Sequence, residues 1–503
     1  MPADDELRRQ ALGSLLLSFR GRSVPSWLTA ALADGLGGVV LFGSNFGPSA
    51  DPRELTDVLR AAAGRDVVVA VDEEGGDVTR LPGEMATGGA LAPASPGAAA
   101  LGHLDDVDTT RAVLATIGWR LVDAGVTVDL APVADVNLDP ANPVIGLRSF
   151  GAEPARVARH VAAAIDGVQA TGVAACAKHF PGHGATRTDS HHEVATLDRS
   201  RAELDAAELV PFRAAVAAGT RAVMTAHLAV PALDPAALAT VSPAITTTLL
   251  REELGFTGTV VTDALEMSAL AGTVSIVPGF VAAMGAGADA IETGALEYPH
   301  LVHEIPAAVV AAVPAGRLDA RRVANAAQRT AALARSAARP GGSGRYADPA
   351  LVASAAARSL EVSGPLPTLH RPLVVECRTP NGMATGDRPW SLAARLTQLV
   401  EDAEMLTVSG PLHPSAVPAA AAGRSLVLVV RDPLRHPWQQ PLLELAAGHP
   451  AVVVVDVGWP AELPATVAWL RTRGIDDGLL DAAARRLAER VPAAESSARS
   501  TRG

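Results

Sequence analysis

The chain has 503 residues, 49% of them hydrophobic and 19% charged, and carries a formal net charge of −12 at pH 7. That length exceeds what one hydrophobic core usually supports, and the apolar content excludes bulk disorder. The acidic balance argues against a nucleic-acid partner, which would want a basic stripe, and Cys176 and Cys377 are too few for a disulfide framework or a thiolate metal cluster.

In chain order, the segment "MPADDELRRQALGSLLLSF" starts acidic and shows no sustained apolar run behind a basic one. No run of about 18 uncharged apolar residues follows, so no membrane partner is expected and the expected location is cytoplasmic. Short apolar runs then alternate with Ala-rich segments of helical period: "GGVVLFG" (37–43), "DVVVAVD" (66–72), "VTVDLAPVAD" (126–135), "ACAKHF" (175–180), "RAVMTAHL" (221–228), "TGTVVTDA" (257–264) and "GADAIETG" (287–294). Continuous apolar strands of this kind are buried on both faces, and the rhythm predicts a (β/α)8 TIM-type barrel over 1–335. Asp72, Asp135, Lys178, His179, His227, Asp263 and Glu292 fall where these strands end, the rim at which such a barrel places its active site. Any one of them alone could equally cap the following helix.

Around "ARSAARPGGSGRYADP" (334–349) the periodicity gives way to Gly, Pro and Ser, a linker composition placed at 336–350. A second α/β rhythm follows, with strands expected at "PLVVEC" (372–377), "EMLTVSG" (404–410), "SLVLVVRD" (425–432) and "AVVVVDVG" (451–458). Helices are expected near 391–402, 440–448, 461–473 and 477–490. This predicts a smaller α/β (αβα) sandwich domain over 351–490 and a disordered tail over 491–503.

The densest cluster of reactive side chains is "CAKHFPGHGATRTDSHHE" (176–193), which holds four histidines and Lys178, the only lysine among 42 Lys and Arg residues. A metal is not expected there: the spacing lacks H-E-x-x-H, and an ammonium beside the imidazoles would repel a cation. No cofactor is called for anywhere in the chain. Asp189 and His191, two residues apart, can point the same way, so that the carboxylate fixes the imidazole tautomer and makes a proton donor and acceptor. Asp263, at the end of "VVTD", reads either as a nucleophile facing the mouth or as a helix cap paired with Glu266. In "VDEEGGDVTRLPG" (71–83), Asp72 and Arg80 flank glycines that let the backbone approach a ligand, and "NPVIGLRSFG" (142–151) adds Arg148. Such groups can hold vicinal sugar hydroxyls.

With "DEEGG" followed by Val78 and Arg80, then "NPVIGLRSFG", "KHFPGHG", "DSH" and "TDALEM", the chain resembles family 3 glycoside hydrolases, more closely their bacterial β-N-acetylglucosaminidases. The resemblance covers residues 30–300 well and is weaker beyond 340. It implies a retaining double displacement: Asp263 as nucleophile, His191 oriented by Asp189 as acid and base, and Asp72, Arg80, Arg148, Lys178 and His179 as sugar-binding residues. Three positions depart from the pattern. Glu73 stands where Gln is common, and its charge is expected to alter the pocket's preference; Ala264 replaces a frequent Asp and Ala195 a common Pro.

The implied activity is exo-cleavage of terminal β-linked N-acetylglucosamine from muropeptide fragments or chito-oligosaccharides. A short pocket fits a chain with 3% aromatic residues better than a long stacking cleft. Two alternatives stay open: a phosphorylase, because an imidazole in place of a carboxylate does not repel phosphate, and a barrel that binds aminosugars without turning them over. The oligomeric state is not readable. One local feature is also foreseen. Lys178 and His179, adjacent on a strand, can share a ligand only if the strand ends or bulges there.

Overall fold

The computed structural model describes residues 2–47, 51–81, 95–188, 194–267, 270, 272, 274–336, 349–382, 384–385, 389–411, 417 and 420–492. The expected Asp189–His191 pair, most of the expected linker and nearly all of the expected tail lie outside them. In the first three hundred residues the strands are β1 (Leu15–Leu17), β2 (Gly38–Leu41), β3 (Val68–Val71), β4 (Val128–Asp129), β5 (Ala174–Phe180), β6 (Ala195–Thr196), β7 (Ala222–Thr225), β8 (Leu228–Val230), β9 (Asp234–Leu238), β10 (Thr259–Thr262) and β11 (Ile291–Glu292). Eight of these form one parallel sheet in the order β10-β7-β5-β4-β3-β2-β1-β11. A parallel bridge between Val261 and Ala290 joins its two edges and closes the barrel.

Alternation along the strands separates two cores. Leu15, Leu17, Val39, Leu41, Val69, Val71, Ala175 and Ala177 face outward into the large cluster shared with the helices. Leu16, Val40, Val68, Ala70, Ala174, Cys176, Ala222 and Met224 face inward and fill the barrel together with Leu333 and Ala334 from the helix Ala320–Ser336. Helix starts follow local chemistry: the Asp51 side chain accepts from Arg53 N, and Ser200 and Glu203 form a capping box. The barrel strand that the sequence reading passed over is β1, three leucines long and too short to show a period.

The second sheet is built from β12 (Glu361–Ser363), β13 (Leu373–Cys377), β14 (Glu404–Val408), β15 (Leu426–Val430), β16 (Val452–Asp456) and β17 (Ala468–Arg471), in the order β12-β17-β16-β15-β13-β14. It carries a separate apolar cluster on each face. The helix expected near 461–473 is not there: β17 pairs parallel to β16 and antiparallel to β12. Pro460 and Pro464 deny that stretch its early helical turns, and Val467, Trp469 and Leu470 suit a pleated surface.

Carboxyl ends of this sheet face the barrel mouth. Arg431, just after β15, reaches Asp77 at 3.1 Å and Asn381 at 2.8 Å, while Ile475 N donates to the other oxygen of Asp77 at 2.9 Å. Among the described residues no helix is long and apolar enough to cross a membrane.

Candidate active site

Where the barrel strands end, their side chains surround a cavity of about 500 Å³. Asp72, Arg80, Arg148, Lys178, His179 and Asp263 all line it, so six of the eight candidate residues are brought together. Asp189 and His191 are the two that lie outside the described residues.

Lys178 follows Ala174 and Cys176 on the inward face of β5 and is 1% exposed. Its Nζ lies 2.6 Å from Asp72 and 2.8 Å from Glu74, which among the described residues uses two of its three donors. Burial alone would strip the ammonium of its proton, yet the two carboxylates outweigh it and hold the pKa above the ordinary lysine value. Glu74 also takes a bidentate grip from Arg148, at 2.9 Å from Nε and 2.7 Å from Nη2. Burial works against its ionisation, but Arg148 and Lys178 together hold the carboxyl well below the usual range. Glu74 is thus the hub joining two sugar-binding candidates, a role the sequence reading did not assign.

The strand register shifts between Ala177 and Phe180, so Lys178 and His179 both reach the cavity, as their adjacency required. His179 Nδ1 lies 2.7 Å from Asp135 Oδ2 and Nε2 lies 3.3 Å from Arg148 Nη2. A guanidinium has only hydrogens to give, so Nε2 accepts and Nδ1–H donates to Asp135. The other Asp135 oxygen accepts from His183 N at 2.7 Å, which ties the start of the loop after β5 to the segment after β4. His183 is buried against Thr186, and desolvation lowers its pKa to about 4, so its ring is neutral at neutral pH.

Arg80 lines the cavity while its guanidinium donates to the carbonyls of Ala384 and Thr385 in the second domain. Glu73 overturns the expectation attached to it. Fully buried, it turns away from the cavity, accepting from Thr79 Oγ1, Arg80 N and Leu81 N, with Arg120 at 3.6 Å. Its charge is consumed in folding the 73–81 turn.

Asp263 follows β10, half-buried, with its Oδ1 accepting from Ala264 N at 2.8 Å. The capping-box reading fails in one part: Glu266 instead accepts from Ala295 N and Leu296 N, across the mouth. Glu292, on the neighbouring strand, also lines the cavity, and burial next to Asp263 raises its pKa well above the usual carboxylate value. Among the described residues no group of three or more His, Cys, Asp or Glu side chains could hold a metal ion.

A family model described as the glycosyl hydrolase family 3 N terminal domain matches residues 22–333. The β-hexosaminidase of Stenotrophomonas maltophilia (strain R551-3) is 36% identical over 275 residues, covering 54% of this chain and 79% of that protein. β-Hexosaminidase A of Pseudoalteromonas piscicida is 35% identical over 278 residues, 50% of this chain, and the chain spans only 45% of that relative's length. Among solved structures, a glycoside hydrolase family 3 β-N-acetylglucosaminidase from Paenibacillus sp. str. FPU-7 superposes with a TM-score of 0.85 at 30% identity, over 97% of both chains. With a family model matching most of the chain and a solved member of similar length and fold, this chain belongs to glycosyl hydrolase family 3.

Proposed function

We propose that the protein is an exo-acting, retaining β-N-acetylglucosaminidase. The observation that carries this reading is the cavity itself: a single polar pocket in which Lys178, Asp72, Glu74 and Arg148 form one ion-paired wall, with the Asp263 carboxylate among the other lining groups. Pre-ordered charges of this kind grip sugar hydroxyls without reorganising when the substrate arrives. Phe42 is the only Phe, Tyr or Trp among the described lining residues, which supports a site for one terminal sugar over a stacking cleft. The relatives named β-hexosaminidase and β-N-acetylglucosaminidase support the aminosugar class.

In the proposed reaction Asp263 attacks the anomeric carbon as His191, oriented by Asp189, protonates the departing oxygen. The resulting glycosyl ester is cleaved when His191 takes a proton from water and the water oxygen bonds to the anomeric carbon, releasing the Asp263 carboxylate. The imidazole replaces the second carboxylate of the usual pair. The test is product analysis on 4-nitrophenyl N-acetyl-β-D-glucosaminide with and without inorganic phosphate. Free N-acetylglucosamine, released first as the β anomer, is the expected product in both. Sugar 1-phosphate as the main product would replace hydrolysis by phosphorolysis, and no turnover at all would leave only sugar binding. Parallel assays on chitobiose and a muropeptide disaccharide separate the two natural substrate classes.

A further inference from the structure

Two carboxyl groups at the barrel mouth are buried and pushed toward their neutral form, Asp129 and Glu292. Asp129 accepts from Glu73 N at 3.1 Å and does not line the cavity, so its role is to hold the 73–81 turn. Glu292 is different. It lines the cavity, at 4% exposure, and its Oε2, like Asp129 Oδ2, has no hydrogen-bond partner among the described residues. Ala290 belongs to the barrel interior and Ile291 to the outer core, so alternation turns Glu292 inward. Its backbone is fully engaged, N–H with Thr262 Oγ1 and carbonyl with Leu265 N. Only the carboxyl group is left over. A buried polar atom without a partner costs stability unless a ligand supplies the partner.

We propose that Glu292 is a further sugar-binding, specificity-determining residue, whose carboxyl group exchanges a hydrogen bond with a hydroxyl or acetamido group of the sugar held beside Asp263. The inference rests on the proposed active site. Rotation about the last side-chain bond brings either oxygen to the cavity. The charged and titratable groups around it are Asp263 from the end of β10, Asp72 from the end of β3, Lys178 and Cys176 on β5, and Glu266 from the turn after β10. Lys178 is already shared by Asp72 and Glu74, so burial and the neighbouring carboxylates together favour the protonated form of Glu292. A protonated carboxyl group both donates and accepts, which matches a hydroxyl or a secondary amide and does not add a second negative charge beside the nucleophile.

The experiment measures kcat and KM on 4-nitrophenyl N-acetyl-β-D-glucosaminide and on its 3-, 4- and 6-deoxy and 2-hydroxy counterparts. The enzymes are the wild-type chain, Glu292→Leu, Glu292→Gln and Asp263→Ala, with thermal melting as the fold control. Glu292→Leu is expected to lose about 10–100-fold in kcat/KM, mainly through KM, and to stop discriminating one analogue from the parent. Glu292→Gln, still a donor and acceptor, recovers most of that loss, and its KM stays flat where the wild-type KM rises with pH as Glu292 ionises. Should Glu292→Leu fail to fold, this difference in the pH dependence of KM between wild type and Glu292→Gln decides. Unchanged KM and unchanged analogue preference in the folded Leu variant, or identical pH profiles of KM for wild type and Gln, would overturn the inference. Asp263→Ala separates the two readings. If it is inactive while Glu292→Leu behaves as wild type, only the role of Glu292 falls; if it retains activity, the whole site assignment falls.

Discussion

At the scale of single residues, the lone lysine is explained by what surrounds it. A buried ammonium between carboxylates at 2.6 and 2.8 Å is a compact point charge, and a planar guanidinium fork does not reproduce its contacts. Lys178→Arg is therefore expected to keep the fold and raise KM on an aryl N-acetylglucosaminide at least about tenfold. Lys178→Met, which leaves Asp72 and Glu74 facing each other, should destabilise the protein by about 3–5 kcal/mol in denaturant unfolding. A Met variant of unchanged stability would contradict the ion-paired wall. His183 gives a pH signature of its own. Folded, it titrates at about 4, below the value near 6.5 of an unfolded histidine, so the unfolded chain binds the proton first. Stability should fall as pH drops from about 6.5 to 4, with a slope of up to ~1.4 kcal/mol per pH unit from this group. His183→Gln should flatten that part of the profile, measured by unfolding in that pH window.

Elements position these residues through close backbone contacts. The loop after β5 is pressed on the segment after β4: a Cβ on Gly184 would sit 1.8 Å from the carbonyl oxygen of Val136, and Asn142 Nδ2 donates to the carbonyls of His183 and Thr186. Gly184→Ala must therefore push the loop off its support. We expect a loss of about 1–3 kcal/mol in stability and a fall of roughly 100-fold in kcat, read by melting and steady-state kinetics. Intact kinetics would mean that the loop can shift without moving the reacting groups. Much at this scale was legible in the sequence, because apolar runs flanked by single polar residues mark barrel strands and their rims. The bulge at Lys178 followed from adjacency alone. What stayed hidden depended on tertiary contact: nothing in "DEEGG" tells that Glu73 folds into its own turn while Glu74 joins Arg148 to Lys178. The signal for Glu292 was present, an acidic residue at an inward position of a barrel strand, but its unpartnered oxygen is visible only in three dimensions.

For the molecule as a whole, the second domain does more than follow the first. Its strand-end residue Arg431 grips Asp77, both nearly buried, and the carbonyls of Ala384 and Thr385 hold the guanidinium of Arg80 at the cavity. Sequence periodicity exposed two α/β units but not which ends face each other, since that depends on pairs more than 300 residues apart. Arg431→Met should take the buried cation away from Asp77, which keeps the N–H of Ile475, and so cost about 3–5 kcal/mol in denaturant unfolding and raise KM as the hold on Arg80 loosens. Unchanged stability and KM together would contradict this coupling. In the proposed reaction one cavity binds a terminal N-acetylglucosamine and passes it through a covalent ester on Asp263. Mass mapping of the intact chain after inactivation by a 5-fluoro N-acetylglucosaminyl fluoride locates that ester. One sugar adduct is expected on the peptide containing Asp263, absent in Asp263→Ala, whose kcat should fall at least about 1,000-fold. An adduct on another residue, or an active Asp263→Ala, would contradict it.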